Sequence, residues 1–444
     1  MNRDKEYSVL LKLGFPVLIT QLGVIIVSFS DTLMIGRYGT PELAAAAFVN
    51  SLFLIPIVMQ IGFSSGLTPL IGALFSRNDL PEAGRMMKSG LLVNILLSVI
   101  FTLIMGALYF FIEFFNPPSD IIPLIRPYYL IILGSLLPMA VFASCQQTAN
   151  GSTDTAMPMW IMLGGNILNI TGNFLLIYGI GVFPELGLKG AGISTLFARW
   201  CMSFAILAVI FRRKRYKEYV SGFMHPLTRA INRVVIKTSY PVMIQSGVEC
   251  MLWTWGAVVC GEFGKFQLAA YQVVNTIGQL GFMIYMSFAA AVSIRVANFT
   301  GLDNIEGIRR TTRAGLNISL ILGTLASVVF IVFSHQLIRL FTPDDKVLTS
   351  ALGLIIPLIL YQYGDAVQLN YGNALRGMSV VKPLLTVSVI GYVVMGIPWL
   401  YIFAHGFGLG NVGVYYSFSL ALFTCSILYY RSYRKAIRNF RPVQ

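Results

Sequence analysis

The chain has 444 residues, 56% of them hydrophobic and only 11% charged, with a mean hydropathy of +0.74. That balance excludes a water-soluble enzyme and indicates a membrane protein. The formal charge of +14 does not call for nucleic acid, because most Lys and Arg fall in every second connection between apolar segments, on one side of the membrane.

Segments of about 20 apolar residues, enough to cross roughly 30 Å of hydrocarbon, recur along the chain. Twelve spans are expected, at 12–35, 45–75, 88–114, 122–148, 156–179, 189–211, 237–260, 267–297, 314–340, 347–372, 381–404 and 411–430. The distribution of Lys and Arg places both termini in the cytoplasm, with the chain integral to the cell's inner membrane. The start, MNRDKEYSVLLKLGF, has acids in its charged region and no small-residue cleavage site, so it reads as a span rather than a cleaved signal peptide. RRKRYKEY at 212–219 and the tail RSYRKAIRNFR are expected against anionic headgroups. Residues 212–232, charged and interrupted by Gly222 and Pro226, read as a cytoplasmic linker between an N-lobe, 1–211, and a C-lobe, 233–444.

A shift of 225 residues aligns the two halves. GFPVLI at 14–19 falls on SYPVMI at 239–244, GRYGTPELAA at 36–45 on GEFGKFQLAA at 261–270, and Pro158 on Pro383. The chain thus reads as a duplicated six-span unit. An even number of spans gives both copies one orientation, so the expected fold is all-α, two six-helix bundles related by a pseudo-two-fold axis along the membrane normal.

Ionisable groups inside spans are costly and usually face a cavity. Asp31, in VSFSDTLMIGRYG, is the acid of the first lobe, and Asn166, Asn169 and Asn173 form a polar stripe on the fifth span. Such a stripe also serves to join helices by hydrogen bonds. Glu249 lies mid-way in the seventh span, with Gln245 and Trp253 one turn to either side. Asp365 follows Tyr361 by one turn in the tenth. The first-half counterparts of Glu249 and Asp365 are Val24 and Ala140, so neither acid is a requirement of the fold. A carboxylate pair with a tyrosine suits a hard cation such as Na⁺ and equally a bound proton. The alternative for each acid is a neutral group that hydrogen-bonds a neighbouring helix. Trp253, Trp255, Tyr271, Phe282, Tyr285 and Phe288 offer a wall on which a flat cation can stack, or packing and interfacial aromatics, and Gln245 and Gln272 are further candidates for the substrate cleft.

Arg199 is the only basic residue well inside a span. The five cysteines lie in spans without metal-ligand spacing and read as small core residues. The three histidines do not converge, and Walker, HExxH and GxSxG motifs are missing, so neither ATP hydrolysis nor metal-assisted hydrolysis has residues to carry it, and no cofactor is expected.

Taken together, FPVLITQLGVIIVSFSDTLMIGRYG, NGSTDTAMPM, AAAVSIRVANFTG and ALRGMSVVKP resemble, in order, the multidrug and toxic compound extrusion (MATE) family, in its NorM-like branch. The resemblance implies two six-helix bundles around a cleft and export of substrates in exchange for Na⁺ or H⁺. Glu249, Asp365 and Tyr361 match that branch's second-lobe set, and Asp31 and Asn169 its first-lobe acid and asparagine. Asn173 stands where the DinF-like branch has an Asp, which favours coupling through the second lobe. NGSTDT departs from the family's usual GLGDT. The expectation is therefore an antiporter, not an enzyme, that exports amphipathic organic cations by alternating access, with lipids as neighbours and a monomeric state. A lipid-linked precursor flippase is the alternative, expected to line its cavity with Arg and Lys, and a non-transporting receptor or scaffold is a third class.

Overall fold

The computed structural model describes residues 3–115 and 117–440; Arg441 of the expected headgroup-facing tail lies outside them. All regular elements among the described residues are helical. Among the described residues eleven helices are long and apolar enough to cross a membrane, or up to twelve if one pair bent by 46° counts as a single span. The protein is an all-α integral membrane protein. Its helices are α1 (Arg3–Tyr38), α2 (Thr40–Ser76), α3 (Leu80–Leu108), α4 (Ile122–Gly151), α5 (Ala156–Tyr178) and α6 (Leu188–Arg212). They continue as α7 (Arg229–Glu262), α8 (Lys265–Gly301), α9 (Ile305–Val332), α10 (Ile355–Gly377), α11 (Lys382–Gly406) and α12 (Gly410–Arg438). The bent pair is Asp345–Leu352 with α10.

Several helices outrun the apolar spans. α3 begins at Leu80 rather than 88, α7 at Arg229 rather than 237 and α9 at Ile305 rather than 314, while α12 runs to Arg438 rather than 430. Apolarity marks what lipid must cover, but the backbone ladder continues into water as long as its first N–H groups are capped. Asp79 caps α3 through Glu82 N–H at 3.3 Å, and Asn304 caps α9 through Gly307 N–H at 2.8 Å.

These caps also reveal the repeat in the backbone. Asp79 and Asn304 are 225 residues apart, and each follows a left-handed residue, Asn78 (φ 60°) and Asp303 (φ 54°). Asn and Asp tolerate that region better than other side chains. A second pair of left-handed residues, Thr153 (φ 61°) and Ser379 (φ 58°), closes α4 and α10. The same backbone bonds recur there: Asp154 N–H to Ala149 C=O and Val380 N–H to Leu375 C=O, both 2.9 Å. The register is 226 at this point, one more than the sequence shift. Carried back along the helix, it sets Met139 rather than Ala140 opposite Asp365, and the counterpart remains apolar.

The described chain divides into two compact units, Met1–Leu18 with Ile244–Gln444, and Ile19–Met243. Both boundaries fall inside helices, two residues after Pro16 and Pro241, rather than in the segment 212–232. The first unit includes the start of α1, fixed there by Glu6, which is 3% exposed and accepts from Arg295 at 3.1 Å and Thr311 at 3.2 Å. Tyr7 accepts from Asn317 at 2.8 Å. The second unit includes the start of α7, where Val235 joins the buried cluster of Phe63, Leu67, Met87, Cys145 and Ile206, and Asn232 accepts from Ser89 at 2.7 Å. Tyr7 and Asn232 are themselves 225 apart, so the exchanged helix starts are pinned at equivalent positions.

The segment after α6 is docked on protein. Its short helix, Lys217–Met224, packs against the start of α3. Tyr216 and Tyr219 are fully buried; Tyr219 shares a 2.7 Å hydrogen bond with Ser152, and Tyr216 donates to Asp154 at 3.1 Å. Arg213 pairs with Asp154 at 3.2 Å, and Arg215 donates to the Ser152 carbonyl at 2.6 Å. These two arginines thus contact the NGSTDT turn. That turn's departure from the family pattern supplies Ser152, one of the partners.

Candidate functional site

The acids of the second repeat lie within one unit. Asp365 is 2% exposed in the middle of α10, and Glu249 is half-buried on α7. A single amide nitrogen joins them: Gln368 Nε2 donates to Asp365 Oδ1 at 3.2 Å and to Glu249 Oε1 at 3.4 Å. Gln368 is three residues after Asp365, hence on its face of the helix. The amide is oriented in turn by Tyr392, whose hydroxyl donates to Gln368 Oε1 at 2.9 Å and also lies within reach of Glu249. Tyr392 belongs to a π-helical stretch of α11, Val389–Gly396. Such stretches re-aim side chains and are frequent at functional sites.

Tyr361, one turn before Asp365 and buried, leads from the acids into an aromatic cluster. Its ring lies 5.4 Å from Trp253 and 6.0 Å from Tyr415, and Trp253 stands 4.4 Å from Phe418. Tyr271 closes the cluster by donating to the Trp253 carbonyl at 2.9 Å. Gln245 is buried with its Oε1 unpartnered, and Tyr285 donates to Gln362 at 2.7 Å. Phe282 packs beside Tyr285. Gln272 is exposed, and Trp255 turns elsewhere, its indole N–H donating to Tyr401 at 3.1 Å.

The polar residues of the first repeat form a separate chain in the other unit. Asn173 donates to Asp31 and, at 3.4 Å, to Asn169, which donates to Thr195 at 3.1 Å. The Asn169 carbonyl accepts from Ser194 at 2.7 Å. Asn166, the third member of the stripe, is outside this chain and lies against Gly23 of α1. Arg199 is within electrostatic reach of Asp31 and donates to Ser135 at 2.5 Å.

The sequence matches the MatE family model over residues 16–175 and again over 241–402, one match per repeat. The chain belongs to the MATE family. Multidrug resistance protein NorM of Photobacterium profundum is 26% identical, with 93% of each chain covered. NorM of Vibrio cholerae is 28% identical over 90% of this chain and 87% of its own. Two solved structures share the fold. A MOP superfamily transporter from Pyrococcus furiosus has a TM-score of 0.89 at 18% identity, covering 98% of this chain and 96% of its own. A Vibrio cholerae MATE transporter, VcmN, solved as a mutant, gives 0.88 at 17% identity and 98% of each chain. A MATE chain is a membrane transporter and not an enzyme.

Four polar groups of this MATE protein's second-repeat site escape a reading of spans alone: Gln368, Tyr392, Gln362 and Arg376. Gln368 and Gln362 had a signal, since both lie within one turn of Asp365. Tyr392 had none, because its position depends on the π-helical geometry of α11. Arg376 fell outside the expected tenth span, which stops at 372, whereas α10 runs to Gly377 and buries it to 8% exposure. Arg376 is a second buried basic residue of the spanning helices, but it sits in the last turn of α10.

Proposed function

We propose that this protein is a secondary-active multidrug exporter that moves amphipathic organic cations out of the cell in exchange for Na⁺ or H⁺, by alternating access. The observation that carries the reading is the pair of carboxylates, Glu249 and Asp365, joined through one amide beside an aromatic wall of Trp253, Tyr361, Tyr415 and Phe418. The acids attract a cation of either kind, and the rings add stacking for a flat organic one. A coupling Na⁺ would draw oxygens from Glu249, Asp365 and Tyr361, a set of hard ligands. Membership of the MATE family and relatives named for multidrug resistance support the same direction. One monovalent ion moving down about 100 mV supplies roughly 2.3 kcal/mol, which sustains a gradient of about fiftyfold. No nucleotide is required.

The test is ethidium transport in proteoliposomes with imposed Na⁺ or H⁺ gradients. Gradient-driven accumulation is expected, and Asp31→Asn should slow it several-fold while the protein stays monodisperse, since Asp31 accepts from Asn173 in the other polar chain. Ethidium that merely equilibrates, whatever ion gradient is imposed, would remove the antiport reading. Arg295 is paired with Glu6 and Arg199 donates to Ser135, and apart from Arg376 the charged groups of the second-repeat site are carboxylates, which does not suit the Arg and Lys lining expected of a lipid-pyrophosphate flippase.

The positive-inside distribution supports an inner-membrane protein with both termini facing the cytoplasm. Single cysteines at the exposed Ser221 and Asp344, in a cysteine-free background, should then label from opposite sides. Labelling of both by an impermeant reagent from one side would reverse this topology.

A further inference from the structure

α10 carries a third charged group on the face of the acidic pair. Asp365, Gln368, Gly372 and Arg376 recur at helical spacing, so all four line one side of the helix. Helical side chains lean toward the helix N-terminus, which is the side of Arg376 on which Gln368 and Asp365 lie. Its residue is 8% exposed, and its Nε has no hydrogen-bond partner. Two titratable groups on other helices are within electrostatic range of it, Tyr429 of α12 and Glu249 of α7. Tyr429 is committed elsewhere, donating to the Leu384 carbonyl at 3.1 Å. The repeat offers a control: in the 226 register the first half has Asn150 here, so the fold closes this helix end without a cation.

A buried arginine without a paired carboxylate is expensive unless some charge compensates it. Glu249 is the carboxylate in reach. We infer that Arg376 is the resident counter-charge of the acidic site, balancing Glu249 when no cation is bound there and so limiting how tightly any cation is held. It acts through Glu249 as a positioning residue, and the role matters because an exporter must let its cargo go. An acidic pair alone would bind strongly and release slowly. This inference rests on the reading that Glu249 and Asp365 bind cations.

The experiment is equilibrium binding of ethidium to the purified full chain in detergent at low Na⁺ and fixed neutral pH. Removing a unit charge at about 10 Å in a medium of effective dielectric near 20 should tighten a cation roughly tenfold. Arg376→Gln and Arg376→Met are both expected to show that gain, Arg376→Lys to bind as wild type, and Glu249→Gln to bind more weakly. Export of ethidium by the two neutral variants should show a lower KM together with a lower kcat, a pattern that loss of folding does not produce. If Glu249→Gln leaves affinity unchanged, the reading of the acidic site fails first. If Glu249→Gln weakens binding but neither neutral variant tightens it, only the counter-charge role falls. Failure of both neutral variants to yield monodisperse protein would make Arg376 a folding element and overturn the assignment.

Discussion

Glu249→Gln and Asp365→Asn should each abolish ion-driven export, by at least about a hundredfold in initial rate, while ethidium still equilibrates. Gln368 Nε2 donates to both carboxylates, so each substitution alters a shared network rather than an isolated acid. Two carboxylates in a low-dielectric site repel, and whichever cation arrives relieves the same repulsion. Coupling ion and organic cation therefore compete, and ethidium affinity in the wild type should fall as Na⁺ or H⁺ rises. Deleting one charge removes the repulsion that makes them exclusive. Tyr361→Phe deletes one oxygen and no charge, and a loss of only a few-fold is expected. Wild-type accumulation by Glu249→Gln against an imposed ion gradient would show that its carboxylate merely joins helices and would sink the mechanism.

The acids could be read from the sequence because a carboxylate in an apolar run has few reasons to be there, and the repeat sharpened them by offering apolar counterparts. The groups that orient them could not be read in the same way. Tyr392 comes from α11, twenty-four residues beyond Gln368, and reaches it through a π-helical stretch that no apolar pattern encodes. Tyr415 and Phe418 likewise join Trp253 and Tyr361 only by tertiary packing. Arg376 was hidden by a different cause. Hydropathy marks where lipid ends, not where the helix ends, and α10 remains buried by neighbouring helices for several residues beyond its apolar run. In the segment 212–219 the dense positive charge dominates the sequence, while the burial of Tyr216 and Tyr219, which docks it on protein, has no pattern to announce it.

Gly222→Val should free that segment from its dock. A Cβ at Gly222 would lie 1.8 Å from the Pro81 carbonyl oxygen, and one at Gly84 would lie 2.0 Å from that of Tyr219. Backbone meets backbone at both points, so no side chain can yield and the short helix has to lift. Overpacking of this kind costs about 2 kcal/mol, or roughly thirtyfold in the undocked population. Trypsin cuts where the chain opens, and cleavage after Arg213, Lys214, Arg215 and Lys217 should accelerate by about that factor in Gly222→Val and in Gly84→Val. The tyrosines give an independent control. Burial pushes the Tyr219 hydroxyl up to about 12, and burial, followed by the Asp154 carboxylate, pushes that of Tyr216 up as well. Hydroxyls whose docked pKa exceeds the free value near 10 favour the dock fully below pH 10, and that contribution is lost as pH rises through 12. Wild-type cleavage should thus stay slow and flat from pH 7 to 10, and Tyr219→Phe, which deletes the bond to Ser152, should raise it throughout that range. Cleavage of both glycine variants at the wild-type rate would mean that the segment is held by something other than its contact with the start of α3.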